Sequence, residues 1–229
     1  MMILKIAISL LIVSALSSKG YAETDVKKIY NLREKEGLYK IIDGVEKKIH
    51  SEPSAKDSLK VLGIAYHNLA VLGMKGASDK AVEYLEKANQ LSPEDYEVIA
   101  YLGSAKTMAA RDSWNLFIKL SKVNDGINMM DRAVSKSPDN IAIRMVRANN
   151  SLKLPKFFGR RDIANKDFLH IEGLINAQSD IDSDIKAEVF YHLGMLYKEE
   201  NEALSKGYFR KTIEASPNSK WGVEARKGL

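Results

Sequence analysis

Cysteine is absent from this chain of 229 residues, and its absence removes several classes of site at once. A protein without cysteine forms no disulfide, no thiolate zinc site and no cysteine nucleophile, and it has no cysteine to carry a lipid anchor. Histidine is scarce as well, with four residues, and the chain has no His-Glu-x-x-His motif, the helical spacing typical of a zinc site. The sequence therefore predicts no metal site, no cofactor and no lipoprotein.

Short catalytic and phosphate-binding motifs are also missing. The chain has no Gly-x-Ser-x-Gly elbow, no Gly-Lys-Ser/Thr phosphate loop and no dinucleotide fingerprint. The formal net charge is +5, and the basic residues are spread along the chain rather than gathered in one block. We therefore expect neither an enzyme nor a nucleic-acid-binding protein. A site built from His67, His192 and carboxylates is the weaker, enzymatic alternative.

Long apolar runs are missing too, apart from one near the N-terminus. Residues 6–16 form an apolar run after a single lysine, and small and polar residues follow as far as Ala22. This layout is typical of a secretory signal peptide, and the run is shorter than the roughly 20 residues that span a membrane. We expect a signal peptide over residues 1–22, a cut between Ala22 and Glu23, no stable membrane span afterwards, and a periplasmic or secreted protein. An uncleaved anchor is the less favoured alternative.

Proline is rare, but four of the five prolines follow one register. The first three are 40 and 45 residues apart and the fourth lies 79 further on, at Pro53, Pro93, Pro138 and Pro217. Small residues keep similar steps, at Gly63, Gly103, Ala148 and Gly194. No stretch alternates apolar and polar residues as a half-buried strand does, so the register predicts repeated helical hairpins.

The clearest copy of the repeat runs from Asp79 to Gly103. Ala81, Leu85 and Ala88 lie there at helical spacing and are followed by the proline of the register. Together with the Leu-Gly pairs, this pattern resembles the tetratricopeptide repeat. The chain is identified as a divergent, exported bacterial member with lengthened repeats. The resemblance implies an all-α, right-handed α-solenoid of antiparallel helical hairpins, with four to five helix pairs and a C-terminal capping helix.

The repeats occupy one domain, residues 23–229. Its units are expected at about 25–55, 56–94, 95–139, 140–180 and 183–218, with the cap at 219–229. The first unit is expected to hold two short helices split at Gly37, and the excess residues between Ala100 and Lys122 are expected to lengthen both helices of their hairpin. Lys106, Arg147 and Ser205 stand at positions where the repeat pattern has other residues.

The resemblance also implies where a partner binds, because the first helix of each tetratricopeptide hairpin lines the concave groove. The corresponding positions here are Lys60, Ile64, His67, Asn68, Ser104, Thr107, Met108, Met145, Asn149, Tyr191, Met195 and Lys198. We expect them to bind a peptide or protein partner, as in a scaffold or an envelope-assembly adaptor. Two alternatives remain: a small-ligand or lipid carrier with an apolar pocket lined by Ile64, Met108, Met145 and Met195, or a groove filled by the protein's own insertions.

The segment LPKFFGRR, residues 154–161, contains the one proline that lies outside the register. Phe157, Phe158, Arg160 and Arg161 are candidate contacts for a protein partner or for lipid headgroups. The favoured interpretation is that both phenylalanines anchor the loop on the core while the cations stay solvated, since adjacent exposed phenylalanines are costly.

Overall fold

A computed structural model of the chain describes residues 34–49, 55–112 and 115–229. Within those ranges it has ten α-helices and no strand, which confirms the all-α class. The helices are α1 Lys35–Ile49, α2 Lys56–Val71, α3 Ala77–Leu91, α4 Tyr96–Ala109, α5 Leu116–Lys136, α6 Ile141–Lys153, α7 Arg161–Ala177, α8 Ser183–Tyr197, α9 Glu202–Ala215 and α10 Lys220–Arg226. The chain divides into two compact units, and the division falls within α5, after Asn124.

The prolines of the register mark one turn that recurs between helices. Pro93, Pro138 and Pro217 each follow a serine that lies just beyond the end of a helix. A backbone hydrogen bond closes each turn, from Asp95 N to Ser92 O, from Asn140 N to Ser137 O and from Ser219 N to Ser216 O, at 3.1, 3.2 and 3.3 Å. The residue that closes the turn then caps the next helix, because its side chain accepts a hydrogen bond from a backbone N–H of the first turn. Pro53 lies outside the described residues.

In the first unit, helices adjacent in sequence pack against each other. Helix α2 contacts α1, α3 and α4, and α3 contacts α4. The α2–α3 approach is close because Gly63 has no side chain: a Cβ there would lie 2.6 Å from Leu85 Cδ2. Leu85 is fully buried, so the glycine of the register is explained by packing.

The second unit repeats this arrangement with α6 against α7, α8 against α9, and α10 against both α8 and α9. Its core contains Phe168, Leu193 and Ile171, all fully buried. Gly194 has the role in α8 that Gly63 has in α2, since a Cβ there would lie 2.7 Å from the Phe209 ring. The short helix α10 is the expected C-terminal element.

Two local expectations are wrong. Helix α4 is not lengthened: it ends at Ala109 and passes into a 3-10 turn at Ala110–Asp112, so the excess residues extend only α5, which has 21 residues. Gly37 does not split a helix either, because it lies in the first turn of α1, whose buried apolar stripe begins at the next residue, Leu38. Residues 1–22, and with them the signal peptide, lie outside the described residues, as does most of the first helix expected in unit 25–55.

Candidate functional site

The first helices of the hairpins in the first unit, α2 and α4, carry a cluster of buried polar side chains. His67, Asn68, Ser104 and Thr107 are 6%, 3%, 4% and 5% exposed. His67 Nε2 lies 2.9 Å from Ser104 Oγ and His67 Nδ1 lies 3.3 Å from Asn68 Oδ1, while Thr107 Oγ1 donates to Ser104 O at 2.8 Å. The edge of the His67 ring meets the Tyr101 ring, with centroids 4.9 Å apart. The structure thus brings four predicted site residues together in one hydrogen-bonding cluster.

The other predicted residues of the first unit lie in different surroundings. Lys60 Nζ is 2.9 Å from Asp95 Oδ2 and 2.8 Å from Glu97 Oε2, both at the start of α4. Burial by itself lowers the pKa of Lys60, but the charges and hydrogen bonds of the two carboxylates outweigh it, and the pKa is raised. The lysine charge is therefore balanced within the chain. Ile64 is fully buried and Met108 is half-buried.

In the second unit the predicted positions lie on α6 and α8. Asn149 Nδ2 donates to Glu188 Oε1 at 2.8 Å, which links the two helices through a carboxylate that is only 8% exposed. Tyr191 is half-buried, with its ring centroid 5.1 Å from that of Trp221 in α10. Met145 is buried in the core, whereas Met195 is 42% exposed and Lys198 is exposed. This face therefore presents an apolar, an amide-bearing and a basic side chain.

His192, the second-unit histidine of the enzymatic alternative, lies among aromatic rings. Its ring is stacked on Phe168 and meets Trp221 edge-on, with centroids 5.0 Å away in each case. Burial lowers the pKa of His192 to about 4, so the imidazole is neutral at neutral pH. Among the described residues no group of three metal-ligating side chains is close enough to hold an ion. His192 is thus a packing residue.

Sequence reasoning missed a buried ion-pair network in the second unit. Asp167 is fully buried in α7 and accepts hydrogen bonds from Arg144 Nη1 at 2.7 Å and from Arg147 Nε and Nη2 at 2.8 and 2.7 Å. Arg147 Nη1 also donates to Asp131 Oδ1 at 3.0 Å. Burial by itself lowers the pKa of Arg147, but the hydrogen bonds and charges of Asp167 and Asp131 outweigh burial, and the pKa is raised. The one signal in the sequence was the arginine at a position where the repeat pattern has an apolar residue.

The loop 154–161 contradicts its favoured interpretation. Phe157 is 75% exposed and only Phe158 is half-buried. Arg160 is not solvated but bound, because Nη1 and Nη2 donate to the two carboxylate oxygens of Asp131 at 2.9 and 2.6 Å. Arg161 Nη2 donates to Leu196 O at 2.7 Å. Arg160 and Arg161 thus attach the loop to the helices, while Phe157 and Lys156 are exposed. The interpretation is wrong for Phe157 and for Arg160.

Comparison with known proteins identifies the architecture. The chain superposes on the crystal structure of a thermophilic tetratricopeptide-repeat protein from Thermus thermophilus with a TM-score of 0.68, over 91% of this chain and 98% of that one, at 14% sequence identity. The chain has the tetratricopeptide-repeat fold. No known family profile matches its sequence, and no curated protein matches it. The resemblance inferred from the register of prolines and glycines is confirmed for the fold.

Within this tetratricopeptide-repeat fold, α2 and α4, and α6 and α8, are first helices of their hairpins, and the cluster around His67 lies on first helices. The assignment of the twelve positions to a partner-binding groove stays a prediction. No helix in the described ranges is long and apolar enough to cross a membrane.

Proposed function

We propose that this protein is an exported, non-catalytic tetratricopeptide-repeat protein that binds an extended peptide segment of a protein partner along its first helices. The observation that carries the proposal is the row of buried hydrogen-bonding side chains on α2 and α4: His67, Asn68, Ser104 and Thr107.

This row is unusual for helices that are otherwise apolar. From Val61 to Ala70 every residue of α2 is buried, and all but two of the ten are apolar or glycine. Burying a polar side chain costs free energy unless it is hydrogen-bonded, and the hydrogen bonds within the cluster offset that cost. The first helices thereby keep polar groups between their apolar residues. An extended peptide has backbone N–H and C=O groups at short intervals, and amide, hydroxyl and imidazole groups are suited to bind them.

The second unit supports the same function with different residues. Asn149 and Glu188 place an amide and a carboxylate between two first helices, and Met195 and Lys198 are exposed on α8. A methionine adapts its shape to different apolar partners. The combination fits a peptide with polar backbone groups and at least one apolar side chain.

The carrier alternative is less well supported. It needs an apolar pocket lined by four residues, but Ile64 and Met145 are packed into the cores of different units while Met195 is 42% exposed. The polar row on α2 and α4 also adjoins Ile64. Polar groups at that position do not suit the binding of an apolar ligand. Native mass spectrometry of the purified protein tests the carrier directly, because a carrier retains a small bound molecule and a peptide-binding scaffold does not.

Export is proposed from the sequence of residues 1–22, which has the charge, apolar core and small residues of a signal peptide. Together with the fold, it favours a scaffold or assembly adaptor in the periplasm or outside the cell.

Site-specific photo-crosslinking in cells tests the binding face. A photoreactive amino acid is placed at Met108 and, in a second variant, at Met195, both on first helices. Matched controls carry it at the exposed residues Glu83 and Arg210 on second helices. We expect the same partner to be crosslinked from both first-helix positions and from neither control. Crosslinks of equal strength from the control positions would refute the assignment of the binding face.

A further inference from the structure

We propose that the loop at residues 154–161 is a second, separate binding site, which docks the protein reversibly on an anionic lipid surface. Phe157 enters the headgroup region, and the exposed Lys156 beside it contacts the lipid phosphates. The proposal depends on this loop alone and not on the first-helix face.

The loop is a fixed turn rather than a loose connection. Phe158 N donates to Pro155 O at 3.0 Å and Gly159 N donates to Lys156 O at 2.9 Å, closing a 3-10 turn at Lys156–Phe158. Gly159 ends the turn at φ 65°, a conformation in which glycine has no steric penalty. Proline at the start and glycine at the end therefore set the direction in which Phe157 points.

Two arginines attach this turn to helices α5 and α8. Arg160 binds Asp131 of α5 through two hydrogen bonds, and Arg161 binds the carbonyl of Leu196 in α8. Asp131 is in turn held by Arg147. A binding residue on a turn that is already ordered loses little conformational entropy when it binds. The structure thus preorganises Phe157 at the surface.

The exposure of Phe157 has no explanation in the packing of the turn. Phe157 is 75% exposed although its neighbour Phe158 is half-buried, with ring centroids 4.5 Å apart. An exposed phenylalanine on a rigid turn keeps apolar surface in contact with water, which a partner removes. Pro155 is exposed beside it and adds to the same apolar tip.

The charge around this tip identifies the partner. Lys153, Lys156 and Arg161 are exposed and basic, whereas Arg160 is paired with Asp131 and the exposed Asp162 follows the loop. The charge around the tip is therefore positive overall, with Lys156 next to Phe157. Near an anionic membrane surface each basic residue strengthens binding by about fivefold. A projecting aromatic tip with flanking cations enters a lipid headgroup layer without a complementary pocket, whereas a protein partner would have to supply an acidic-rimmed pocket of matching shape. The geometry therefore favours a lipid surface, with weak and salt-sensitive binding.

Vesicle co-sedimentation of the full chain, purified after export, tests the proposal. Phosphatidylcholine vesicles with and without phosphatidylglycerol are compared at low and high salt. We expect binding only to the anionic vesicles, and we expect high salt to weaken it. Phe157→Ala should reduce the binding constant about tenfold, because the ring no longer leaves water. Lys156→Glu should reduce it by more than tenfold, since it removes one attraction and adds one repulsion.

Matched controls distinguish binding through this loop from non-specific binding to vesicles. Phe117→Ala removes a phenylalanine that is 84% exposed elsewhere, and Lys136→Glu makes the same charge change at another exposed position of the second unit. Both controls should bind like the unchanged protein. Equal binding by Phe157→Ala and the unchanged protein, or equal losses in Phe157→Ala and Phe117→Ala, would overturn the proposal. Absence of binding to anionic vesicles would overturn it as well and would leave an acidic protein as the partner of the loop.

Discussion

Removing the buried carboxylate of Asp167 tests the energetics of the second unit most sharply. The side chain is fully buried and accepts three charge-assisted hydrogen bonds, one from Arg144 and two from Arg147. Asp167→Ala leaves Arg144, which is 9% exposed, without this counter-charge. Arg147 keeps only its hydrogen bond to Asp131, so both guanidinium groups lose part of the compensation for their desolvation.

The expected magnitude follows from the cost of removing one partner of a buried ion pair, about 3–5 kcal/mol in the free energy of unfolding. For a chain of this size 1 kcal/mol shifts the melting temperature by roughly 2–4 °C, so the variant should melt roughly 6–20 °C lower. Thermal unfolding followed by circular dichroism measures the shift. The matched control is Asp162→Ala, which removes an exposed carboxylate from the first turn of the same helix and should cost less than about 1 kcal/mol.

A rescue variant distinguishes lost attraction from uncompensated charge. Replacing Asp167 by Leu together with Arg144→Met and Arg147→Met removes both signs of charge and should recover most of the stability, because apolar residues of similar size replace buried ion pairs at little cost. A loss in Asp167→Ala no larger than that in Asp162→Ala would refute the reasoning. A triple variant as unstable as Asp167→Ala would show that the network acts by shape rather than by charge.

Three further outcomes are expected. The pKa of His192 is about 4 in the folded chain against an ordinary value near 6.5. Between these pH values the unfolded state binds more protons than the folded state. The free energy of unfolding therefore falls as the pH falls from 6.5 towards 4. The loss between pH 7.5 and 5.5 should be about 1 kcal/mol in urea titrations, and His192→Gln should remove it. Gly63→Ala should destabilise the chain by about 1–3 kcal/mol because its Cβ meets Leu85, whereas Gly44→Ala, with nothing within 4 Å, should stabilise it by up to about 1 kcal/mol. N-terminal sequencing of the exported protein should begin at Glu23, and a retained first methionine would contradict the signal peptide.

The fold was predictable because packing and turn chemistry act locally. In the described residues, each proline of the register follows a serine and precedes a capping residue within three positions. Four neighbouring residues therefore determine the whole turn. Gly63 and Gly194 are equally readable, since a glycine inside an apolar helical stripe signals close approach of another helix.

Residues that broke the repeat pattern were harder to interpret, because their partners lie far away in sequence. Lys106 pairs with Glu86 of α3 at 2.9 Å, and Ser205 Oγ donates to Gly194 O at 2.8 Å. Arg147 pairs with Asp167, 20 residues further on. Each of these three polar residues departs from the repeat pattern, and its partner is supplied by a neighbouring helix. The sequence pattern shows that a residue differs from the repeat, but it does not show which distant residue pairs with it.

The sequence predicted less about the loop at residues 154–161 than about the first helices. The expense of exposing two adjacent phenylalanines led to the prediction that both pack on the core. In the structure the ion pair between Arg160 and Asp131 holds the turn, and Phe157 projects from it. For the first helices, the offsets of the repeat led to His67 and Ser104, and the structure brings these two side chains within 2.9 Å. The offsets contained no information on which of these positions are buried, because burial depends on every element that packs on the helix.

The measurement that tests the central claim most directly is methionine oxidation footprinting with the partner recovered by crosslinking. The chain supplies its own probes, Met108 and Met195 on first helices. The controls in the same two units are half-buried Met74, in the turn after α2, and half-buried Met129, on α5. If the first helices form the binding face, the partner slows oxidation of Met108 and Met195 and leaves Met74 and Met129 unchanged. Protection of Met74 or Met129 with unchanged oxidation of Met108 and Met195 would contradict the account.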